Sequence, residues 1–153
     1  ITFIARRMLI IAAEDVGIAN PTALVLANST FQAVATVGYP EGRILLSECA
    51  IYLATSPKSN ASYKAIDAAI AKVKDTGNLQ VPLHLRNAPT KLMKEMGYGS
   101  GYKYAHDFPN QFAIQEFLPD ELHGSKFYEP GGNPKEENIR NFLKRRWKDK
   151  YDY

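Results

Sequence analysis

The sequence predicts an all-α fold, a bundle of about five to seven helices with an irregular, aromatic-rich segment in its second half. Three observations carry this expectation. Apolar residues recur at three- and four-residue spacing through the first half, cap and stop residues punctuate it at helix-length intervals, and sustained two-residue alternation is absent. The 153 residues, 45% apolar and 23% charged, fit one domain, residues 1–153, able to bury a real core.

The first helix spans Ile1 to Asp15, with Ile1, Ile4, Met8, Ile11 and Ala12 on one face, and Gly17 breaks it. Ile1 already lies inside this pattern with no residue before it to cap the helix, so the chain reads as a piece of a longer protein. Asn20-Pro21 supplies a cap and a first-turn proline for a second helix to about Val37, with an inner stripe of Leu24, Ala27, Phe31 and Val34. After the stop Gly38-Tyr39-Pro40, the helix from Ile44 to Thr55 is apolar on nearly every side, which predicts a central helix covered all round. Ser59 and Asn60 offer caps for a fourth helix with Tyr63, Ile66, Ile70 and Val73 inward, ended by Gly77.

Beyond Gly77 regularity falls away. Pro82 and Pro89 punctuate the chain, Leu92, Met93 and Met96 mark a short helix, and Gly97, Gly99 and Gly101 open a loop. Tyr98, Tyr102, Tyr104, Phe108, Phe112, Phe117, Phe127 and Tyr128 are too many aromatics for a solvated linker, so this stretch must pack on the bundle or on a neighbour. Lys126 to Tyr128 offers at most a short extended pair. Asn133-Pro134 with Glu136 is a capped start for a last helix through Ile139, Phe142, Leu143 and Trp147.

Composition narrows the function. A net charge of +3 is too small to argue for nucleic acid unless it is concentrated, and only the C-terminus concentrates it. The single cysteine, Cys49, allows no internal disulfide and no thiolate zinc cluster, pointing to a reducing compartment. No apolar run reaches the ~18 residues needed to span a bilayer and no signal-peptide pattern opens the chain, so the expectation is a soluble, unexported protein.

The candidate chemistry is thin. Lys58-Ser59 echoes the end of a phosphate-binding loop, but Tyr52 and Pro57 stand where that loop needs glycines, so a helix cap is the better reading. The loop Gly97-Tyr98-Gly99-Ser100-Gly101 follows a helix rather than a strand, which reads as a helix stop and turn. His84, His106 and His123 lack zinc-ligand spacing, and His106-Asp107 has no recognisable nucleophile for a hydrolase. Glu14-Asp15 are adjacent helical residues that do not face one another, which favours a structural role. The tail Arg140, Lys144, Arg145, Arg146, Trp147, Lys148 and Lys150 suits either phosphate contact with base stacking or a solvated helix end whose cations complement the dipole.

Several ordered phrases carry a resemblance: Arg6-Arg7-Met8, then Ala13 through Pro21, then Gly38-Tyr39-Pro40-Glu41-Gly42-Arg43, Tyr52-Leu53-Ala54 and Lys58-Ser59-Asn60. The series continues with Val81 through Ala88, Gly97-Tyr98-Gly99, Tyr102 through Asp107, Leu118 through Leu122 and Phe127-Tyr128-Glu129-Pro130. Together they resemble the C-terminal region of the MgsA/RarA family of AAA+ ATPases of replication-fork maintenance, which has the Werner-helicase-interacting ATPase as its eukaryotic relative. Asn20 stands where that family commonly has aspartate, and Ser47-Glu48 where alanine-glutamine is more usual.

The resemblance implies an all-helical tetramerisation domain C-terminal to a clamp-loader-like ATPase core acting in replication and recombination. It implies no catalytic, cofactor-binding or metal-binding residue here, with ATP and Mg²⁺ belonging to the core. The implied partners are further copies of the chain as a homotetramer, with single-stranded DNA-binding protein and DNA for the longer protein and no membrane. For a bacterial source the location would be cytoplasmic and nucleoid-associated. The candidate subunit contacts are Tyr98, Tyr102, Tyr104, Phe108 and Phe112, and the candidate nucleic-acid contacts of the alternative reading, a DNA-binding module on the basic last helix, are Arg145, Arg146 and Lys148.

Overall fold

A computed structural model describes residues 1–153 and contains six α-helices, several single turns of 3-10 helix and no strand. The all-α expectation holds. The contacts divide the chain into two compact units, residues 1–70 with 127–142 and residues 71–126 with 143–153.

In the first unit, α1 (Thr2–Ile11) runs into a π turn at Ala12–Val16 and a 3-10 turn at Gly17–Ala19. Then come α2 (Thr22–Val37), α3 (Gly42–Thr55) and the start of α4 (Ala61–Thr76). α2 packs against both α1 and α3, and α1 also touches α3. The core of this trio is made of small side chains: Ala5, Ala12, Ala23 and Ala27 are essentially inaccessible, joined by Val16, Val34, Leu46, Cys49 and Leu53. Alanine at a helix contact lets the axes approach closely, so van der Waals contact comes from backbone and neighbouring chains rather than from large knobs.

This core corrects three sequence expectations. The inner stripe of α2 is Ala23, Ala27, Thr30 and Val34; Leu24 is 45% exposed and Phe31 only half-buried. α3 is not covered all round: it buries the stripe Gly42, Leu46, Cys49 and Leu53, while Ile44 and Ile51 stay 59% and 62% exposed. α4 turns Ala61, with half-buried Ser62, Ala65 and Ala69, inward and leaves Tyr63, Ile66, Ile70 and Val73 out. In each case periodicity locates the apolar positions, but the small residues, not the large ones, fill the core.

Two local expectations also change. Asn20 makes no cap hydrogen bond; its amide donates to the Tyr52 hydroxyl at 3.0 Å and Ser56 Oγ at 3.1 Å, joining the start of α2 to the end of α3. Lys126–Tyr128 pairs with nothing as a strand.

Ser59 is the junction of this unit. Its N–H donates to the Asp15 carbonyl at 2.8 Å, and its own carbonyl lies against Gly17, where a Cβ would meet it at 2.6 Å. Gly17 also has φ +50°, so both space and backbone geometry require glycine there. Ser59 Oγ accepts from the Ala61 N–H at 3.3 Å, as expected of a residue before α4, and donates to the carboxylate of Glu136.

Glu136 opens α6 (Pro134–Trp147) and is wholly inaccessible to solvent. The expected capping arrangement is present: Asn133 Oδ1 accepts from the Glu136 N–H at 3.0 Å, and the Asn133 amide donates back to the carboxylate. The Tyr128 hydroxyl donates to Oε1 at 3.0 Å, and the Gly131 N–H adds a further bond. A Cβ at Gly131 would sit 2.7 Å from Oε2.

Burial alone pushes this carboxyl up, but the bonds from Ser59, Gly131, Asn133 and Tyr128 outweigh it and hold its pKa below the ordinary carboxylate range. A pKa lowered by folding contributes stability that is present above the unfolded value and lost as pH falls through the folded one. Urea midpoints should therefore drop as pH is taken from about 5 to about 3, and Glu136→Gln should flatten that slope. Glu136→Ala, which leaves several donors buried without an acceptor, should cost about 3 kcal/mol or more by urea unfolding at pH 7.

Candidate functional site

The second unit begins in the last turns of α4, which Gly77 stops at φ +69°. It continues through a 3-10 turn at Leu83–Leu85 and α5 (Lys91–Glu95), whose N-terminus is capped by Thr90 Oγ1 accepting from the Met93 N–H at 3.3 Å. Only Ala113 and Leu122 among its apolar residues are buried. Its interior consists instead of half-buried rings.

Trp147 is the centre of that interior. Phe112, Phe117 and Tyr151 meet it edge-on at centroid distances of 4.9, 6.2 and 5.1 Å, and Tyr153 extends the array from Tyr151 at 6.2 Å. Edge-to-face contact sets the positive rim of one ring on the negative face of another. The Lys150 ammonium lies 5.1 Å from the Trp147 centroid, and the Arg146 guanidinium 5.3 Å from that of Phe112.

These cations are also tied down. Lys150 Nζ is 3.0 Å from Glu116 Oε2 and donates to the Gln115 carbonyl at 2.7 Å, and Arg146 donates to the Asn110 carbonyl at 2.6 Å. Burial raises the Glu116 pKa, yet the N–H groups of Leu118 and Phe117 together with Lys150 hold it below the usual range.

The sequence candidates therefore separate. Of the proposed nucleic-acid trio, Arg146 is engaged with Asn110 and Phe112, while Arg145 and Lys148 are exposed. Of the proposed contact aromatics, Phe112 packs on Trp147, and half-buried Tyr98 lies under Arg86, which donates to its hydroxyl at 3.3 Å. Tyr102, Tyr104 and Phe108 remain 50%, 54% and 38% exposed. The second unit also carries twelve of the 19 lysines and arginines but eight of the 16 acidic residues, so the basic excess resides there.

The residues weighed for nucleotide or hydrolytic chemistry have other partners. Lys58 Nζ donates to the Leu53 carbonyl at the end of α3, and the Gly99 N–H donates to the Leu83 carbonyl at 2.9 Å. His84 Nε2 lies 2.8 Å from the Glu116 carbonyl, His123 sits between Asp120 and Glu116 at 3.5 and 3.9 Å, and exposed His106 faces the Tyr104 ring. No three His, Cys, Asp or Glu side chains converge to hold a metal ion, and no helix is long and apolar enough to cross a membrane.

Sequence reasoning missed the outward face of the first unit. Phe3, Val25, Ile44, Ile51 and Ile66 are 67%, 65%, 59%, 62% and 55% exposed, on four different helices. The signal was present in α3, where large apolar residues exceed what one buried stripe needs.

Because Trp147 contacts three rings in a unit with so few buried residues, Trp147→Ala should lower stability by about 3 kcal/mol in urea unfolding followed by circular dichroism. Glu116→Gln, which keeps the shape and removes the charge, should cost less than that.

The model of the MgsA AAA+ ATPase C terminal matches residues 1–147. The replication-associated recombination protein A of Haemophilus influenzae is 45% identical over 144 residues, 94% of this chain and 32% of the relative. That of Escherichia coli is 47% identical over 129 residues, 84% of this chain and 29% of the relative. ATPase WRNIP1 of Dictyostelium discoideum is 42% identical over 128 residues, 83% of this chain and 15% of the relative. The chain thus spans about a third or less of the curated relatives it matches, and it belongs to the MgsA AAA+ ATPase C-terminal family.

Proposed function

We propose that this chain is the self-assembly domain of an ATPase acting in replication-associated recombination, and that it joins copies into a tetramer. The observation that carries the reading is the outward apolar surface of the first unit, where large side chains on α1, α2, α3 and α4 are about half or more exposed although small residues complete the core. Large apolar side chains left outside a chain's own core are what a subunit contact draws on. Tyr102, Tyr104 and Phe108 offer further contact area on the second unit.

On this reading the chain itself hydrolyses no ATP. ATP and Mg²⁺ act in the parts of the longer relatives that it does not match, and single-stranded DNA-binding protein and DNA are partners of the whole protein. Its contribution is effective concentration: joined heads each touching DNA weakly bind tightly together. Light scattering across a micromolar concentration series should give four times the 17.1 kDa chain mass; a persistent monomer would sink the reading.

A second reading, nucleic-acid contact by the C-terminal tail, is favoured by the basic excess of the second unit and by exposed Arg145 and Lys148. It requires a mobility shift with single-stranded DNA that weakens steeply with salt, and Arg145→Ala with Lys148→Ala should reduce the logarithmic salt slope by about one to two. Arg146 is the poorer choice for that test, since its loss also breaks the bond to Asn110.

A further inference from the structure

We infer that Tyr102, Tyr104 and Phe108 are a stacking strip for the bases of single-stranded DNA, whose phosphates are met by Arg145 and Lys148 of the C-terminal tail. This deepens the nucleic-acid reading and rests on it.

Tyr102, Tyr104, His106 and Phe108 occupy alternate positions of one short segment of the second unit. Tyr102, Tyr104 and Phe108 are 50%, 54% and 38% exposed, and His106 is exposed beside the Tyr104 ring at a centroid distance of 5.1 Å. Lys103, between the tyrosines, is instead turned to the chain. Its N–H donates to Gln115 Oε1 at 3.3 Å, its carbonyl accepts from Gln115 Nε2 at 2.9 Å, and its ammonium donates to the Ile114 carbonyl at 3.1 Å. Lys103 thus holds the segment while the rings on either side of it stay open to solvent.

The tail lies against the same stretch of chain. Arg146 donates to the carbonyl of Asn110, just past Phe108, and Lys150 to that of Gln115, the residue that holds Lys103. Lys148 stands between those two anchors along the tail and Arg145 beside the first, and both are exposed. Open rings and solvent-facing cations are therefore fastened to one another.

Single-stranded DNA is the occupant that this combination fits. In a duplex the base faces are covered by their neighbours, whereas a single strand offers a π face at every nucleotide, and aromatic side chains beside backbone-tracking cations hold such strands. Residues 102–116 and 143–153 carry six lysines and arginines against four aspartates and glutamates. That excess is too small for phosphate contact alone to bind tightly, so the rings must supply part of the affinity. A second copy presenting the same surface would instead bring like charges together.

The test measures the fluorescence anisotropy of a labelled oligothymidylate of about 15 nucleotides with the full chain and its variants. The variants are Tyr102→Ala, Tyr104→Ala, Tyr104→Phe and the double change Arg145→Ala/Lys148→Ala. All the altered side chains are exposed, so circular dichroism should match the parent. Each tyrosine-to-alanine change should weaken binding about fivefold or more yet leave the logarithmic salt slope as it was, because losing a ring changes no counterion release. Tyr104→Phe, which keeps the ring, should bind as the parent does, the double cation change should lower the slope, and unlabelled duplex of the same length should compete poorly. A parent that binds no strand removes the nucleic-acid reading itself. A parent that binds duplex as tightly, or whose affinity neither tyrosine change alters, overturns the stacking strip while contact by the tail cations stands. Tyrosine-to-alanine variants that lower the mass seen by light scattering but bind DNA normally also overturn it, and give the rings to a subunit contact.

Discussion

A buried carboxylate organises the first unit. An ionised side chain removed from water costs several kcal/mol unless its environment replaces the lost hydration. No lysine or arginine approaches Glu136; the replacement is built from neutral donors, namely the Tyr128 and Ser59 hydroxyls, the Asn133 amide and the Gly131 N–H. The N-terminus of α6 adds the favourable end of its dipole, since Glu136 lies in the first turn. Because those donors come from three separate stretches of chain, satisfying one charge fixes the α3–α4 connection, the segment 128–131 and the start of α6 at once. Gly131 and Gly17 follow from the same constraint, for a side chain at either would strike the carboxylate or the Ser59 carbonyl.

With the junction fixed by polar groups, the helices can pack through small residues. Ala5, Ala12, Ala23 and Ala27 give α1 and α2 close contact, and Gly42 lies against the Ile1 side chain and near Val34. An alanine-rich contact gains dispersion energy from backbone proximity but hides little large apolar surface. The large side chains are consequently left outside, and the exposed isoleucines of α3 and α4 express this division rather than a failure to pack.

That division explains which parts of the structure were legible in sequence. Helix boundaries were: Gly38, Gly77 and the Asn133-x-x-Glu136 pattern act through local backbone geometry, which neighbouring residues suffice to specify. Face assignment was not, because a 3.6-residue period identifies an apolar stripe without saying whether the chain's own core or another molecule covers it. Leu24, Tyr63, Ile66 and Ile70 were placed inward for that reason, and their exposure is the finding. Asn20 misled differently: its identity suits a cap, but Tyr52 and Ser56, brought near by tertiary structure, take its amide. Of the aromatics of the second half, Phe112 and Phe117 pack on Trp147, which lies 30 or more residues away along the chain, a separation that no local pattern encodes, while Tyr102, Tyr104 and Phe108 stay exposed.

The two units meet the same requirement by different chemistry. The first satisfies a buried charge with neutral donors and relies on alanine contacts; the second, with two buried apolar residues, relies on ring edges and on cations held over ring faces. In the second, Lys150 and Arg146 have their charge partly matched by Glu116 and by the Asn110 carbonyl. A tail that reads as a continuous basic stretch is therefore mixed: Lys150 and Arg146 complete the aromatic interior, Arg140 is bonded to Glu129 and the Pro130 carbonyl, and Lys144, Arg145 and Lys148 face solvent. Counting charges along the sequence treats them alike, whereas their structural surroundings differ. Any electrostatic attraction this unit exerts on a polyanion must come chiefly from the solvent-facing group, since a cation already paired in a folded contact has less charge to offer and an existing bond to lose.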